Sequence, residues 1–359
     1  MCIHRCNRNY TTNESNSGIR NKGNKIMNIG CFELEPWEES HFKRAFPKDK
    51  ISFSEKRLST KNISKYQNLE IIAAFVHSEL NKEVLDKLPK LKLIATMSTG
   101  FNHIDLEECK KRKITVCNVP VYGENTVAEQ TFALILALSR KIVECVNRTH
   151  LGSFRLQGLR GFDLKDKTLG IVGCGNIGKH VARIAKGFEM RVLVFDMYKD
   201  LKFAKEMGFS YVTLERLLKE SDIITLHVPE NKHTHHLINK EKLELMKKSA
   251  FLVNTSRGGI IDTKSLITAL KKKEIAGAAL DVMEDECEIL EETQLLKKEF
   301  GGHCDLNKIV KNHPLLKMKN VIITPHNAFN TNEALMRILQ TTLDNIKAFR
   351  KGKVINSVK

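Results

Sequence analysis

Three glycines and one aspartate carry the most specific chemical signal in the chain. Gly173-x-Gly175-x-x-Gly178 lies between two apolar runs, Leu169 to Val172 and Val192 to Phe195, and the second run ends on Asp196. Ile177, Val181, Ile184 and Ala185 recur behind the glycines at helical spacing. The order is therefore strand, glycine turn, helix, strand. Gly173 suits the tight turn, Gly175 the close approach of a pyrophosphate, and Gly178 close packing of helix on strand. The N–H groups that open the helix, at Asn176 and Ile177, favour the phosphates. A carboxylate at Asp196 accepts from ribose hydroxyls and repels a 2′-phosphate, and no arginine follows it: Met197 and Tyr198 come next, then Lys199. The expected cofactor is NAD rather than NADP.

Three more segments place ionisable residues just after apolar runs, where open parallel sheets bind their ligands. They are Asn254-Thr255-Ser256-Arg257-Gly258-Gly259, the acidic stretch Asp281 to Glu286, and Thr324-Pro325-His326-Asn327-Ala328-Phe329. An arginine, an acid and a histidine beside NAD suit hydride transfer with an anionic 2-oxo acid. Further cofactor contacts are expected from Val228, Pro229 and Thr255 at strand ends. No metal ligands are expected, since neither Cys2/Cys6 nor His303-Cys304 has a second pair at zinc-ligand spacing.

The elements that must hold these residues alternate. Strands are predicted at Met27–Phe32, Ile71–Val76, Leu93–Met97 and Ile114–Cys117, with helices near Trp37–Phe46, Lys82–Leu88 and Leu106–Lys113. Past Asp196, strands are predicted at Ile223–His227, Ala250–Asn254, Gly277–Leu280 and Val321–Thr324. This alternation predicts α/β architecture with parallel sheets. A long apolar-striped helix, from Thr126 to about Val146, is expected to cross between domains. A final helix is expected from Asn332 to about Arg350, and the charged stretch Glu284–Lys319 has no assigned role.

The 359 residues allow two cores. The net charge of +17, from 59 basic and 42 acidic residues, is spread mostly as lysines without an Arg-rich helix or basic-aromatic pattern. It reads as a solvated surface, so neither nucleic acid nor membrane is expected as a partner. Nine scattered cysteines point to a reduced, cytoplasmic protein. Residues 1–26 are polar and expected to be a disordered extension, with Met27 a candidate start.

In its motifs the sequence resembles the D-isomer-specific 2-hydroxyacid dehydrogenase family, with D-lactate dehydrogenase-like members nearest in pattern. The resemblance rests on Ser98-Thr99-Gly100-Phe101-Asn102-His103-Ile104-Asp105, Asn118-Val119-Pro120-Val121-Tyr122, the Gly173–Gly178 turn, the Arg257 turn, the Asp281–Glu286 segment and Thr324-Pro325-His326, in family order. It implies two doubly wound parallel-sheet domains. A Rossmann NAD domain (122–326) is inserted into a flavodoxin-like substrate domain (27–121, completed by 327–359). Arg257 would hold the substrate carboxylate, with backbone N–H groups of Thr99 and Gly100. His326 would exchange the proton, and Glu286, five residues after Asp281, would orient its ring and favour imidazolium. Asp281 would contact the nicotinamide amide. Tyr122 and Phe329 would face a small substrate, with pyruvate/D-lactate favoured over glyoxylate or hydroxypyruvate. His77-Ser78-Glu79 lacks the arginines a phosphorylated substrate would need. A homodimer is expected from the same resemblance. An NAD-sensing corepressor of this fold is the alternative from a different functional class.

Overall fold

Short runs of Ile, Leu, Val and Ala form strands buried on both faces, as parallel sheets covered by helices require. The structure is a computed structural model describing residues 26–284 and 314–358. β1 (Asn28–Phe32), β2 (Lys50–Ser54), β3 (Ile71–Ala74), β4 (Leu93–Thr96) and β5 (Thr115–Cys117) form one sheet in the order β2-β1-β3-β4-β5. β6 (Thr168–Val172), β7 (Arg191–Phe195), β8 (Ser210–Tyr211), β9 (Ile223–Leu226), β10 (Phe251–Asn254), β11 (Gly277–Leu280) and β12 (Val321–Ile323) form the other, in the order β12-β11-β10-β9-β6-β7-β8. Among the described residues, every pairing between these strands is parallel. The first order is that of flavodoxin-like sheets. The second is the Rossmann order with an added edge strand, and its direction reverses between β6 and β9.

The chain divides into two compact units, one holding the residues up to Pro120 with Ile338–Lys359, the other Val121–Arg337. The second crossing falls inside the last helix, Asn332–Arg350, rather than at residue 326. The long helical segment expected to join the domains lies wholly in the second unit, and it is two helices, Glu124–Arg140 and Ile142–His150. They part at Lys141, whose φ of 52° is left-handed. That conformation costs a non-glycine residue about 1 kcal/mol, and the Lys141 ammonium bonds the Gly158 carbonyl at 3.0 Å. Ala128, Phe132, Leu134 and Ile135 of the first of these helices are buried against Leu169, Ile171 and Val181. Ile26 alone of the expected N-terminal extension is described. Cys2, Cys6, Glu286, His303 and Cys304 lie outside the described residues.

In the first unit a half-buried acid ties two strand ends together. Glu33 follows β1 with a left-handed φ of 64°, accepting from the Ser78 hydroxyl at 2.5 Å and the His77 N–H at 2.9 Å. Burial pushes its carboxyl from the ordinary 4.5 up to about 7, although the bonds from Ser78 and His77 pull the other way. Between those values the folded protein holds a proton that the unfolded chain has released, so stability falls as pH rises. The full effect is about 3 kcal/mol. Glu33→Gln keeps an acceptor without the titration. Its stability relative to wild type, measured by urea denaturation, should therefore rise between about pH 5 and about pH 8, by up to that amount. Parallel profiles would show that Glu33 is not the titrating group.

Candidate active site

Neighbouring strands deliver the candidate residues. β10, β11 and β12 are adjacent, and Arg257, Asp281 and His326 each follow one of them. Backbone bonds stitch these ends together: the Asp281 N–H donates to the Asn254 carbonyl at 2.9 Å, and the His326 N–H to the Asp281 carbonyl at 2.8 Å. The Asp281 side chain does more. It is fully buried, and one carboxylate oxygen accepts from the Thr324 hydroxyl and, at 2.9 Å, from the Asn327 N–H. The other accepts from the Ala328 N–H at 2.8 Å. Asp281 thus fixes the whole His326 turn, in which His326 itself has φ 49°. Phe329 meets the His326 ring edge to face at 6.2 Å.

Arg257 is exposed at the start of a 3-10 turn, Gly258–Ile260. Its Nη1 donates to the neighbouring Ser256 carbonyl at 2.7 Å. Asn254 holds this turn from beneath, its amide donating to the Arg257 carbonyl at 2.8 Å and its oxygen accepting from the Ser256 N–H at 3.0 Å. A Cβ at Gly258 would lie 2.0 Å from the Met283 carbonyl carbon, so glycine permits close backbone contact with the segment after β11. Tyr122 lies within electrostatic reach. Burial pushes its phenol above the ordinary value, while the Arg257 guanidinium pulls it back.

The glycine turn has the form a dinucleotide needs. Gly173 has φ +96°, and a Cβ there would lie 2.5 Å from the His227 carbonyl oxygen. A Cβ at Gly178 would meet the Gly173 carbonyl oxygen at 2.2 Å, whereas one at Gly175 would enter open space. Gly175 caps the Asn176–Gly187 helix without a side chain, and among the described residues no acceptor takes the Asn176 or Ile177 N–H. That leaves donors and a positive helix end beside open space, which fits a pyrophosphate. Asp196 accepts from the Cys174 N–H at 2.6 Å and the Tyr198 N–H at 2.8 Å, so the acid is latched to the turn. Val228 and Pro229 follow β9, Val228 half-buried and Pro229 exposed, and the buried Thr255 hydroxyl pairs with that of Thr131 at 2.9 Å.

In the first unit the Ser98 hydroxyl donates to the Gly100 carbonyl at 2.6 Å and the Asn118 amide to the Thr99 carbonyl at 2.8 Å. The loop is fixed through its carbonyls, and among the described residues its Thr99 and Gly100 N–H groups have no acceptor. Two contributors were missed in the sequence. Arg337 donates through Nη1 to the Tyr122 carbonyl and, at 3.2 Å, to the Asn125 side chain. His227 is half-buried with Nε2 2.9 Å from the Thr225 hydroxyl, and desolvation pushes its imidazole down to about 3. The strand-end rule could have found His227, but nothing in the sequence pairs Arg337 with a backbone oxygen so distant in the chain.

Asparagine at 281 would offer one acceptor and turn an amide N–H₂ toward backbone donors. Asp281→Asn should lower unfolding free energy by about 2–4 kcal/mol, as for other buried hydrogen-bonded charges that lose their match. Chemical denaturation measures this, and an unchanged midpoint would show that the carboxylate does not hold the turn.

Comparison with known proteins bears on the same residues. A family model described as "D-isomer specific 2-hydroxyacid dehydrogenase, NAD binding domain" matches residues 132–328. A glyoxylate reductase of Korarchaeum cryptofilum is 37% identical over 320 residues, 88% of this chain and 89% of that protein. A D-lactate dehydrogenase of Escherichia coli is 36% identical over 308 residues, 84% of this chain and 90% of its own. Among solved structures, D-lactate dehydrogenase of Aquifex aeolicus complexed with NAD and lactic acid superimposes with a TM-score of 0.79 at 38% identity, covering 90% of this chain and 96% of that one. The cofactor is NAD, and the two sheets are those of this fold. The chain belongs to the D-isomer-specific 2-hydroxyacid dehydrogenases, NAD-dependent enzymes that act on the CH–OH group of their donors.

Proposed function

We propose that this dehydrogenase interconverts pyruvate and D-lactate. The observation that carries the reading is the edge-to-face contact of Phe329 with His326, together with a half-buried Tyr122 within electrostatic reach of Arg257. Aromatic side chains near an imidazole and a guanidinium suit a small acid with a methyl group. NAD, when bound, exchanges a hydride with carbon 2 of the acid.

The remaining work falls to side chains and backbone. Arg257 exchanges its bond to Ser256 for a two-pronged grip on the substrate carboxylate and draws electron density from the 2-oxo oxygen. The Thr99 and Gly100 N–H groups are further carboxylate donors. His326 gives its proton to the 2-oxygen during reduction and takes it back during oxidation. Glu286 is assigned to orient the other ring nitrogen. Asp281 retains a lone pair after its three bonds, enough to accept from the nicotinamide amide as well as brace the turn. Gly173, Gly175, Gly178, Asn176, Ile177 and Asp196 are assigned to the pyrophosphate and ribose, with Val228, Pro229 and Thr255 along the same cofactor.

Glyoxylate is the second reading, because relatives named glyoxylate reductase match at similar identity. We assign the protein to the cytoplasm, supported by unpaired thiols at Cys31, Cys109, Cys117, Cys145 and Cys174. No helix among the described residues is long and apolar enough to cross a membrane. A homodimer is supported by the Ile142–His150 helix and the loop after it. Ile142, Val143 and Val146 are 42–49% exposed, and Leu151, Phe154 and Leu156 at least 81%. Such a patch is unusual on a monomer.

Initial rates with NADH and pyruvate, glyoxylate, hydroxypyruvate and phenylpyruvate test the substrate. Pyruvate should show the highest kcat/KM, and a clear preference for glyoxylate would replace this reading with the second. Arg257→Lys should raise KM and lower kcat for pyruvate, together costing about 10²-fold or more in kcat/KM, because an ammonium cannot form the planar fork. NADH affinity should change little. Near-wild-type kinetics in that variant would remove Arg257 as the carboxylate clamp.

A further inference from the structure

Beside the Arg257 turn, two segments of the second unit bring together a different set of side chains. His235 and His236 lie in the chain between β9 and β10, and their rings stack 4.0 Å apart at an interplanar angle of 20°. Glu284 lies shortly after β11, with Oε1 2.6 Å from His236 Nε2. One ligand atom from each of the three lies within 4.8 Å of the others. Glu230 reaches His235 Nδ1 at 3.1 Å.

Two imidazole nitrogens and a carboxylate match the preferences of borderline metal ions. We propose that His235, His236 and Glu284 form a binding site for a divalent transition-metal ion, zinc foremost. The geometry that carries the proposal is the convergence of two imidazoles and a carboxylate from segments remote in the chain, one ligand atom of each within reach of a common centre. Metal binding would take both imidazoles neutral and both acids deprotonated. Glu230 and Glu284 then supply negative charge at either side, and Glu230 orients its ring as carboxylates orient metal-binding imidazoles elsewhere.

The site is built on braced backbone. The His236 N–H donates to the Gly259 carbonyl at 2.8 Å, and the second Glu284 oxygen accepts from the Thr263 N–H at 3.2 Å. The Glu230 carboxylate lies close over Gly259, where a Cβ would meet its Oε1 at 2.0 Å. Zinc with bonds of about 2.0–2.1 Å holds tetrahedral ligands about 3.3 Å apart. The His236–Glu284 pair must therefore widen and His235 draw in. Side-chain exposures of 52% for His235, 38% for His236 and 23% for Glu284 leave room for that rotation. Solvent supplies the fourth ligand. A bound ion would cross-link the loop after β9 to the segment after β11, which packs on Gly258 next to Arg257.

The test uses the full chain, without a histidine tag and stripped by a chelator, titrated with cobalt(II) followed by visible absorption and with zinc by calorimetry. A saturable site should appear, with zinc displacing cobalt. His235→Ala and Glu284→Gln should each weaken binding at least about tenfold, while His233→Ala, an exposed neighbour, should leave it unchanged. Zinc should raise the melting temperature of wild type but not of His235→Ala. Absence of saturable binding, or equal affinity in wild type and the His235 and Glu284 variants, would overturn the proposal. So would a loss in His233→Ala as large as theirs.

Discussion

The buried carboxylate of Asp281 is the constraint on which the rest of the second unit's chemistry depends. A charge with no solvent exposure persists only where donors surround it, and here Thr324, Asn327 and Ala328 provide them. The dependence runs both ways. The turn after β12 has no regular structure to hold it, and the acid after β11 has no water to satisfy it. Parallel strands stitched to one another make the meeting unavoidable, because register places Leu280 beside Ile323 and Asn254 beside Leu280. Arg257, Asp281 and His326 therefore follow from sheet order, while their fine placement follows from one side chain.

The polar groups around this centre are partnered before any ligand arrives. Arg257 rests on the Ser256 carbonyl, and Asp196 on the Cys174 and Tyr198 N–H groups. Ligand recognition at such groups exchanges hydrogen bonds or uses spare lone pairs, so its net gain is modest per contact. The Asn176 and Ile177 N–H groups differ. They lack internal acceptors among the described residues and stand at a positive helix end, where an anion gains bonds without breaking others. In the proposed site, anchoring through phosphate and discrimination through exchange would thus be divided between the two ends of the cofactor segment.

Much of this was legible because the buried strands are nearly pure Ile, Leu, Val and Ala. Gly277–Leu280 and the last helix, Asn332–Arg350, stand where the apolar pattern puts them. The pattern fails where burial does. β2 carries only Ile51 and Phe53 as large apolar residues and is half exposed, and β8 is two residues long. The break at Lys141 has no glycine or proline to announce it. Strand-end residues could be read from the sequence because parallel sheets concentrate chemistry there. The Asp281 bracket, the grip of Arg337 on the Tyr122 carbonyl and the convergence of His235, His236 and Glu284 could not, since each joins segments remote in sequence through geometry alone.

The left-handed backbone of His326 sets the role proposed for its ring against durability. At φ 49° a histidine carries strain that glycine would not, and the bonds from Asp281 are what keep it there. Selection for heat resistance alone would favour replacing this residue with glycine, relaxing the turn while deleting its imidazole. The ring at position 326 runs against the local preference of its own backbone, so a library screened only for folding would drift away from it.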